Sequence, residues 1–291
     1  MLKIALPDGS LEEGTIKLFK DSHLEITRKS RERRGSINDS RVSEVVFMRP
    51  QIIPKLVQKW DYDVGICGRD CVIESNASVE IIAELVYSKF TNTKARVVLF
   101  NSIDNPVNEI SEISPGSRIL SEYPNSTRRL FRNIGIKVEV HPSNGGTEAH
   151  IPQGYRYGVC ISERGETLVA NQQKVVKVLF DATTVLIANK NAMKNPQKAE
   201  AIHILEILLT STREAQDQVL LMMNVPADKK DSVLKRLPAL KRPTISKLVE
   251  GGFAINAVVP LEKVNLIIPE LLKSGAEDIL EISISKVVRR W

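Results

Sequence analysis

The feature that most constrains this chain is a repeated pattern: a short apolar run, a turn rich in Gly, Pro or Asp, then an amphipathic stretch. Leu2-Lys3-Ile4-Ala5-Leu6 reads as a strand closed by Pro7-Asp8-Gly9-Ser10. Ser10 is placed to cap a helix over Leu11 to Lys20, with Glu13 three residues on as its reciprocal partner. Glu44 to Met48 is a second strand, Pro50 to Lys59 suits a helix with a proline in its first turn, and Val64 to Gly68 is a third strand. Strands alternating with helices of about 10–15 residues imply βαβ units and a largely parallel sheet.

A second block of the same kind opens at Ala95 to Phe100. It continues through a strand at Ser117 to Leu120, a helix over Ser126 to Gly135 and a strand at Lys137 to Val140. The Gly-rich Ser143 to Glu148 then leads to a strand at Val159 to Ile161, further strand over Val175 to Leu186 and a helix over Ala199 to Thr212. The last eighty or so residues change character. Their order is strand (Gln218 to Asn224), helix (Asp228 to Arg236), a further strand (Thr244 to Lys247), strand (Phe253 to Val259), helix (Leu261 to Ser274) and strand (Glu277 to Ile284). That βαββαβ order is the ferredoxin-like one. Gly275 follows the second helix, where a left-handed cap favours glycine.

At 291 residues the chain has room for two or three compact units. Its 42% hydrophobic and 26% charged content is that of a globular protein and argues against large-scale disorder. No run approaches the ~20 apolar residues of a membrane span. The first ten residues carry no basic segment followed by an apolar one, so the expected location is the cytoplasm. Cys67, Cys71 and Cys160 have no metal-type spacing and read as small buried hydrophobes. The net charge of +6 and pI of about 9.1 would suit a nucleic acid or a polyphosphate substrate. Two Trp and five Tyr, dispersed along the chain, provide no stacking platform for single strands, which disfavours nucleic acid. Arg28 to Arg34 holds five cations in seven residues, either a solvated loop or a flap over an anionic ligand.

Three segments could carry chemistry. In Asp63-Val64-Gly65-Ile66-Cys67-Gly68-Arg69-Asp70, glycines at a strand end would let a ligand approach the backbone, with Arg69 on a phosphate and Asp70 on a metal–pyrophosphate or a ribose hydroxyl. Ser143 to Glu148 could form an anion nest or a plain turn. Glu163 to Leu168 has the glycine and hydroxyl of a phosphate cradle, but the acid Glu166 argues for an ordinary loop. The four histidines form no triad, and His203, inside an apolar helix, is expected to be packed. No Walker motif or dinucleotide fingerprint is present.

Several ordered blocks resemble the long-form ATP phosphoribosyltransferases. Ile4 to Leu11, Phe47-Met48-Arg49-Pro50-Gln51-Ile52-Ile53-Pro54, the Asp63 to Asp70 turn and Ser117 to Asn125 are similar to the family's catalytic region. Met223-Asn224-Val225-Pro226, Leu237 to Ile245 and Gly275 to Leu280 resemble its regulatory domain in order and spacing. The resemblance implies attack of N1 of ATP on C1 of phosphoribosyl pyrophosphate (PRPP) with Mg²⁺, releasing pyrophosphate, in histidine biosynthesis. It implies an α/β fold of two periplasmic-binding-protein-like (type II) catalytic domains plus a C-terminal ferredoxin-like βαββαβ (ACT-like) regulatory domain. The expected division is 1–92 and 174–212 for the first catalytic domain, 93–173 for the second and 213–291 for the regulatory one.

By the same resemblance, Glu163, Arg164, Gly165, Glu166, Thr167 and Leu168 would hold the PRPP phosphate. Gly9, Arg49, Gly65, Gly68, Asp70, Ser121, Glu122, Tyr123, Gly146, Thr147 and Glu148 would line the ATP and substrate cleft, and Thr244 would belong to a histidine site. Catalytic residues and metal ligands are left unassigned. Expected partners are ATP, PRPP, histidine as effector, and further copies of the chain in dimers or hexamers, with neither nucleic acid nor membrane. The chain departs from the family pattern at Asp8 and Ser10, where Lys and Arg are usual, at Arg164 and Glu166 in the phosphate loop, and around Tyr157 and Ile161-Ser162, which supply no aspartate. A ligand-binding or regulatory subunit is the alternative reading.

Overall fold

The computed structural model describes residues 1–29, 32–87, 95–104, 106–151, 153–163, 165–237 and 243–289. Arg164, part of the basic run (Ser30 and Arg31) and Pro238 to Arg242 therefore lie outside the described residues. The chain divides into two compact units, Met1–Lys20 with Leu24–Glu206, and Asp21–His23 with Ile207–Trp291.

The first unit holds two sheets. Its first block comprises β1 (Leu2–Pro7), α1 (Glu12–Asp21), β2 (Ile26–Thr27), β3 (Arg34–Ile37), β4 (Val42–Met48), α2 (Ile53–Lys59), β5 (Val64–Gly68), α3 (Arg69–Ser75) and β6 (Glu80–Glu84). The second block is β7 (Ala95–Ser102), β8 (Arg118–Ser121), α4 (Pro124–Asn133), β9 (Glu139–Pro142), β10 (Tyr157–Ser162), α5 (Glu166–Ala170) and β11 (Gln173–Ala182). The chain then returns as β12 (Thr184–Ala188), α6 (Lys190–Lys194) and α7 (Pro196–Ala215), the last shared with the second unit.

Strands in the first sheet run in the order β2-β3-β4-β1-β5-β12-β6. Among the described residues β4, β1 and β5 pair in parallel, and β2, β3, β12 and β6 join antiparallel. The second sheet, β11-β7-β10-β8-β9, likewise has a parallel trio, β10, β8 and β9, beside an antiparallel pair. The expectation of largely parallel sheets is thus corrected to mixed ones. Strands that lead from one sheet to the other, or return, need not follow the right-handed crossover that makes neighbours parallel. The single stretch of strand expected over 175–186 is two strands in different sheets: Gln173–Ala182 pairs with β7, and Thr184–Ala188 with β5.

Other local expectations also change. Ser10 does not cap α1: a 3-10 turn over Gly9–Leu11 precedes the helix, because Gly9 takes φ +73° and bends the chain before Ser10 is reached. The helix expected from Pro50 begins at Ile53, with Pro54 in its first turn. His203 is not packed; its side chain is 51% exposed and its Nδ1 lies 3.2 Å from Glu206 Oε2. The three cysteines are all buried, as expected.

The second unit adds β13 (Gln218–Val225), α8 (Lys230–Arg236), β14 (Thr244–Lys247), β15 (Phe253–Pro260), α9 (Val264–Lys273) and β16 (Glu277–Ser283). The four strands form an antiparallel sheet, β14-β15-β13-β16. Alternate residues of β13 and β15, including Val219, Leu221, Met223, Ile255, Ala257 and Val259, pack against Val233 of α8 and Val264, Ile267 and Leu271 of α9. The period-two burial of both strands is that of a sheet covered on one face by helices.

Candidate functional site

The parallel trios aim their carboxyl ends at the turns singled out in the sequence, which is where open α/β sheets place ligands. In the first sheet β1 runs into Asp8-Gly9, β4 into Arg49 and β5 into Gly68-Arg69-Asp70. In the second sheet β8 runs into Glu122-Tyr123, β9 into Ser143 and β10 into Glu163. One hydrogen bond joins the two sets directly: Tyr123 Oη donates to Asp70 Oδ2 at 2.9 Å.

Asp70 is 8% exposed, so burial pushes its carboxyl above the usual range, against the hydrogen bonds from Tyr123 and Cys71 that favour the charged form. The thiols of Cys67 and Cys71 are raised by burial and by the charge of Asp70, so they remain neutral. A Cβ on Gly68 would lie 2.0 Å from Asp70 Oδ1. The glycine therefore gives room for the Asp70 carboxylate to fold back over the strand end. At Gly65 the missing Cβ points at α2, where it would come 2.5 Å from Ile53 Cγ2, so packing against that helix requires a glycine here. Arg69 is engaged by Glu84 on β6 and is not free to serve a phosphate alone.

At the β1 turn, Asp8 is 7% exposed and carries Arg33 on Oδ2; Arg49 Nε lies 3.9 Å from Oδ1, which takes no hydrogen bond. The acid at this position is thus covered by two arginines that are themselves largely exposed. Arg33 immediately precedes β3, and Arg28 of the same basic run pairs with Glu12 and lies 4.0 Å over the Phe47 ring. The described part of the run connects β2 to β3, which pair antiparallel, and of its residues only Arg34 lies in a strand; the two short strands themselves were not read from the sequence.

In the second sheet Glu122 is half-buried. Its carboxyl is raised by burial first, opposed by the Thr147 hydroxyl that donates to Oε1 at 2.9 Å, and raised further by the charge of Glu148. Thr147 also lies 3.0 Å from Ser143 Oγ, at the start of a 3-10 turn that Gly145 and Gly146 enter with positive φ. Cys160, beside these two carboxylates, is pushed up to about 12, first by burial and then by Glu122 and Glu148. Ser121 Oγ accepts from the Tyr123 N–H and pairs with Thr127, which fixes the turn from β8 into α4.

β10 ends at Ser162, just before the segment 163–168, and the described residues of that segment lead into α5. Gly165 takes φ +76° and gives its N–H to Ser162 Oγ, the short α5 begins at Glu166, and Leu168 is buried against Val98, Phe100, Ile151 and Cys160. Glu166 and Thr167 are exposed, and Glu163 Oε2 is buried with no hydrogen-bond partner. Thr244 is exposed on β14, in the second unit. Tyr157 is 1% exposed in the core of the second sheet. Among the described residues, no helix is long and apolar enough to cross a membrane.

The family model described as ATP phosphoribosyltransferase (HisG) matches residues 49–209, and that of the HisG C-terminal domain matches 215–286. The chain is 38% identical over 288 residues to an ATP phosphoribosyltransferase of Pelotomaculum thermopropionicum, covering 99% of each chain. It is 36% identical, with the same coverage, to one of Desulforudis audaxviator. Among solved structures, an ATP phosphoribosyl transferase (HisG:HisZ) complex from Thermotoga maritima aligns with a TM-score of 0.61 at 23% identity, over 72% of this chain and 96% of that one. That likeness supports the α/β fold alone, whereas the end-to-end sequence identity carries the family. The chain belongs to the ATP phosphoribosyltransferase family.

Proposed function

We propose that this chain transfers the phosphoribosyl group of PRPP to N1 of ATP and releases pyrophosphate, the first step of histidine biosynthesis. The observation that carries this reading is identity along the whole chain, through both the catalytic region and the C-terminal domain, to enzymes of that name. Opposed strand ends with Asp70, Glu122, Tyr123, Thr147 and Glu148 near one another would form the ATP and ribose side of the cleft. The loop 163–168 would take the 5′-phosphate. Arg33 and Arg49, exposed above Asp8, supply the positive charge that a leaving pyrophosphate requires. A dissociative sugar transfer depends on that neutralisation more than on a strong base.

Mg²⁺ fits the acidic side of the site. The charge of Glu148 raises the Glu122 carboxyl, and a divalent cation would relieve that repulsion. Among the described residues no three or more such ligands cluster, so substrate phosphates and water would complete the shell, as is usual for this ion. When bound, the ion would neutralise pyrophosphate oxygens.

The second unit has the strand order and connections of a ferredoxin-like domain, which supports an ACT-like regulatory role with Thr244 contacting histidine. Assembly into dimers or hexamers belongs to the same reading. The test is pyrophosphate release by purified protein from ATP and PRPP at millimolar concentration, with and without histidine. No turnover by folded protein would refute transfer. Calorimetric binding of ATP, PRPP or histidine without turnover would favour a ligand-binding subunit instead.

A further inference from the structure

Two charged side chains outside the cleft set join α3 of the first sheet to α4 of the second. Glu74, in the last turn of α3, reaches the first turn of α4, where its Oε1 accepts the Asn125 N–H at 2.7 Å and its Oε2 the Ser126 N–H at 2.9 Å. Arg129, one turn along α4, donates Nη2 to the Ile73 carbonyl at 2.6 Å and to Ser126 Oγ at 2.9 Å. Helix starts leave N–H groups unpaired and carry partial positive charge; helix ends leave carbonyls and partial negative charge. Here each helix end is satisfied by a full charge of the right sign from the other helix. Tyr123, the residue before α4, makes no side-chain cap of its own.

The position of this exchange gives it consequence. Asp70 lies one helical turn before Glu74, and Glu122-Tyr123 immediately precede α4. A slide of α4 along α3 would therefore be passed directly to the Tyr123–Asp70 hydrogen bond and to Glu122. The carboxylate also occupies the N–H groups of α4 that would otherwise attract a substrate phosphate.

We propose that Glu74 and Arg129 form a reciprocal clamp between α3 and α4 that holds the Ser121–Tyr123 turn against Asp70, which makes Glu74 a positioning residue for phosphoribosyl transfer; this rests on the transferase reading above. Neither side chain binds substrate in this scheme, and the phosphates of PRPP and ATP go elsewhere than the start of α4.

The experiment compares wild type, Glu74→Ala, Glu74→Gln and Arg129→Met by amide hydrogen exchange at Asn125 and Ser126 and by turnover of ATP with PRPP. Each is measured with and without added formate, a carboxylate small enough for the vacated place. In Glu74→Ala both amides should exchange faster, and turnover should fall about tenfold to a hundredfold, as misplacement of a reacting group by ~1 Å does. Formate should slow the exchange again and restore turnover severalfold, with no such effect on wild type; rescue by a free anion is not expected of a merely destabilised fold. Glu74→Gln, nearly isosteric, keeps the variant set informative should Glu74→Ala fold poorly, and should lie between the two. Unchanged exchange at both amides in Glu74→Ala and Glu74→Gln overturns the clamp. Opened amides with wild-type turnover overturn the positioning role. If wild type itself turns over nothing, the transferase reading falls and with it the positioning role, while amide exchange still decides the clamp.

Discussion

Gly65 is the second residue of β5, paired with Ala5 on one side and Ile187 on the other, so its strand has no room to retreat. In Gly65→Ala the new Cβ would lie 2.5 Å from Ile53 Cγ2 and 3.0 Å from Val57 Cγ2. Carbon atoms pack best at about 3.5–4.0 Å, so α2 must move outward by roughly 1 Å. Ile53 and Val57 are fully buried, and β-branched side chains in helices have essentially one χ1 choice, so neither can rotate away. Overpacking of this kind costs about 2–3 kcal/mol. The smaller unfolded-state freedom of alanine returns about 0.5 kcal/mol, for a net loss near 2 kcal/mol. Chemical denaturation should show the midpoint falling accordingly. Ile53→Ala removes the clashing methyl and alone costs about 2–5 kcal/mol; the double variant should be less destabilised than the sum by at least ~1 kcal/mol. Gly65→Ala with unchanged stability and a raised KM for ATP or PRPP would refute the packing assignment and place Gly65 in the cleft instead.

Three other substitutions test neighbouring parts of the structure. Asp63, 2% exposed, accepts from Lys198 Nζ at 2.6 Å, Trp60 Nε1 at 2.8 Å and the Lys3 N–H at 3.0 Å. Burial alone would raise its pKa, but these donors prevail and hold it below the ordinary 3.8. Its stabilisation is therefore present above that unfolded value and lost as pH falls through the lower, folded one. Asp63→Asn should cost about 2–3 kcal/mol at pH 7 and flatten the acid limb of the stability curve; an unaltered acid limb would contradict this. Tyr123→Phe removes a donor to the charged form of Asp70, whose carboxyl burial already raises. The loss, on the order of 1–2 kcal/mol at neutral pH, should shrink as acid protonates Asp70, and a pH-independent loss would refute the assignment. Thr147→Val leaves the burial of Glu122 and the charge of Glu148 without the opposing hydroxyl, so the Glu122 carboxyl should titrate higher by NMR; an unchanged titration would mean that the hydroxyl does not serve it.

How far the sequence reached can be judged from particular residues. The strand Val64–Gly68 and the strand Thr244–Lys247 have the limits read from the sequence, because each is a short run bounded by turn residues or Gly/Pro on its own chain. The αβ class, the βαββαβ order of the second unit and the buried cysteines follow from the same local signals of period and punctuation. What local signals do not carry is the identity of a strand's neighbour. The run from 173 to 188 looks continuous in composition, yet Thr183 separates two strands of different sheets, and only pairing with β7 or β5 distinguishes them.

The site divides in the same way. Gly9, Gly68, Asp70, Thr147 and Glu148 were legible as residues of turns, where an α/β fold tends to place its chemistry, whereas Glu122 and Tyr123 entered only through the family resemblance. Whether a glycine makes room for a ligand or a neighbour was not legible: Gly65 and Gly68 stand three residues apart in one strand, and only the position of α2 makes the first a packing contact. Nor could the sequence show that Arg33 covers Asp8, 25 residues away, or that Glu74 caps a helix some 51 residues ahead. Periodicity and turn chemistry are properties of adjacent residues, so the sequence determined the elements and their class. Charge neutralisation and capping between distant segments are set by distances of a few ångströms, and those existed only once the chain had folded.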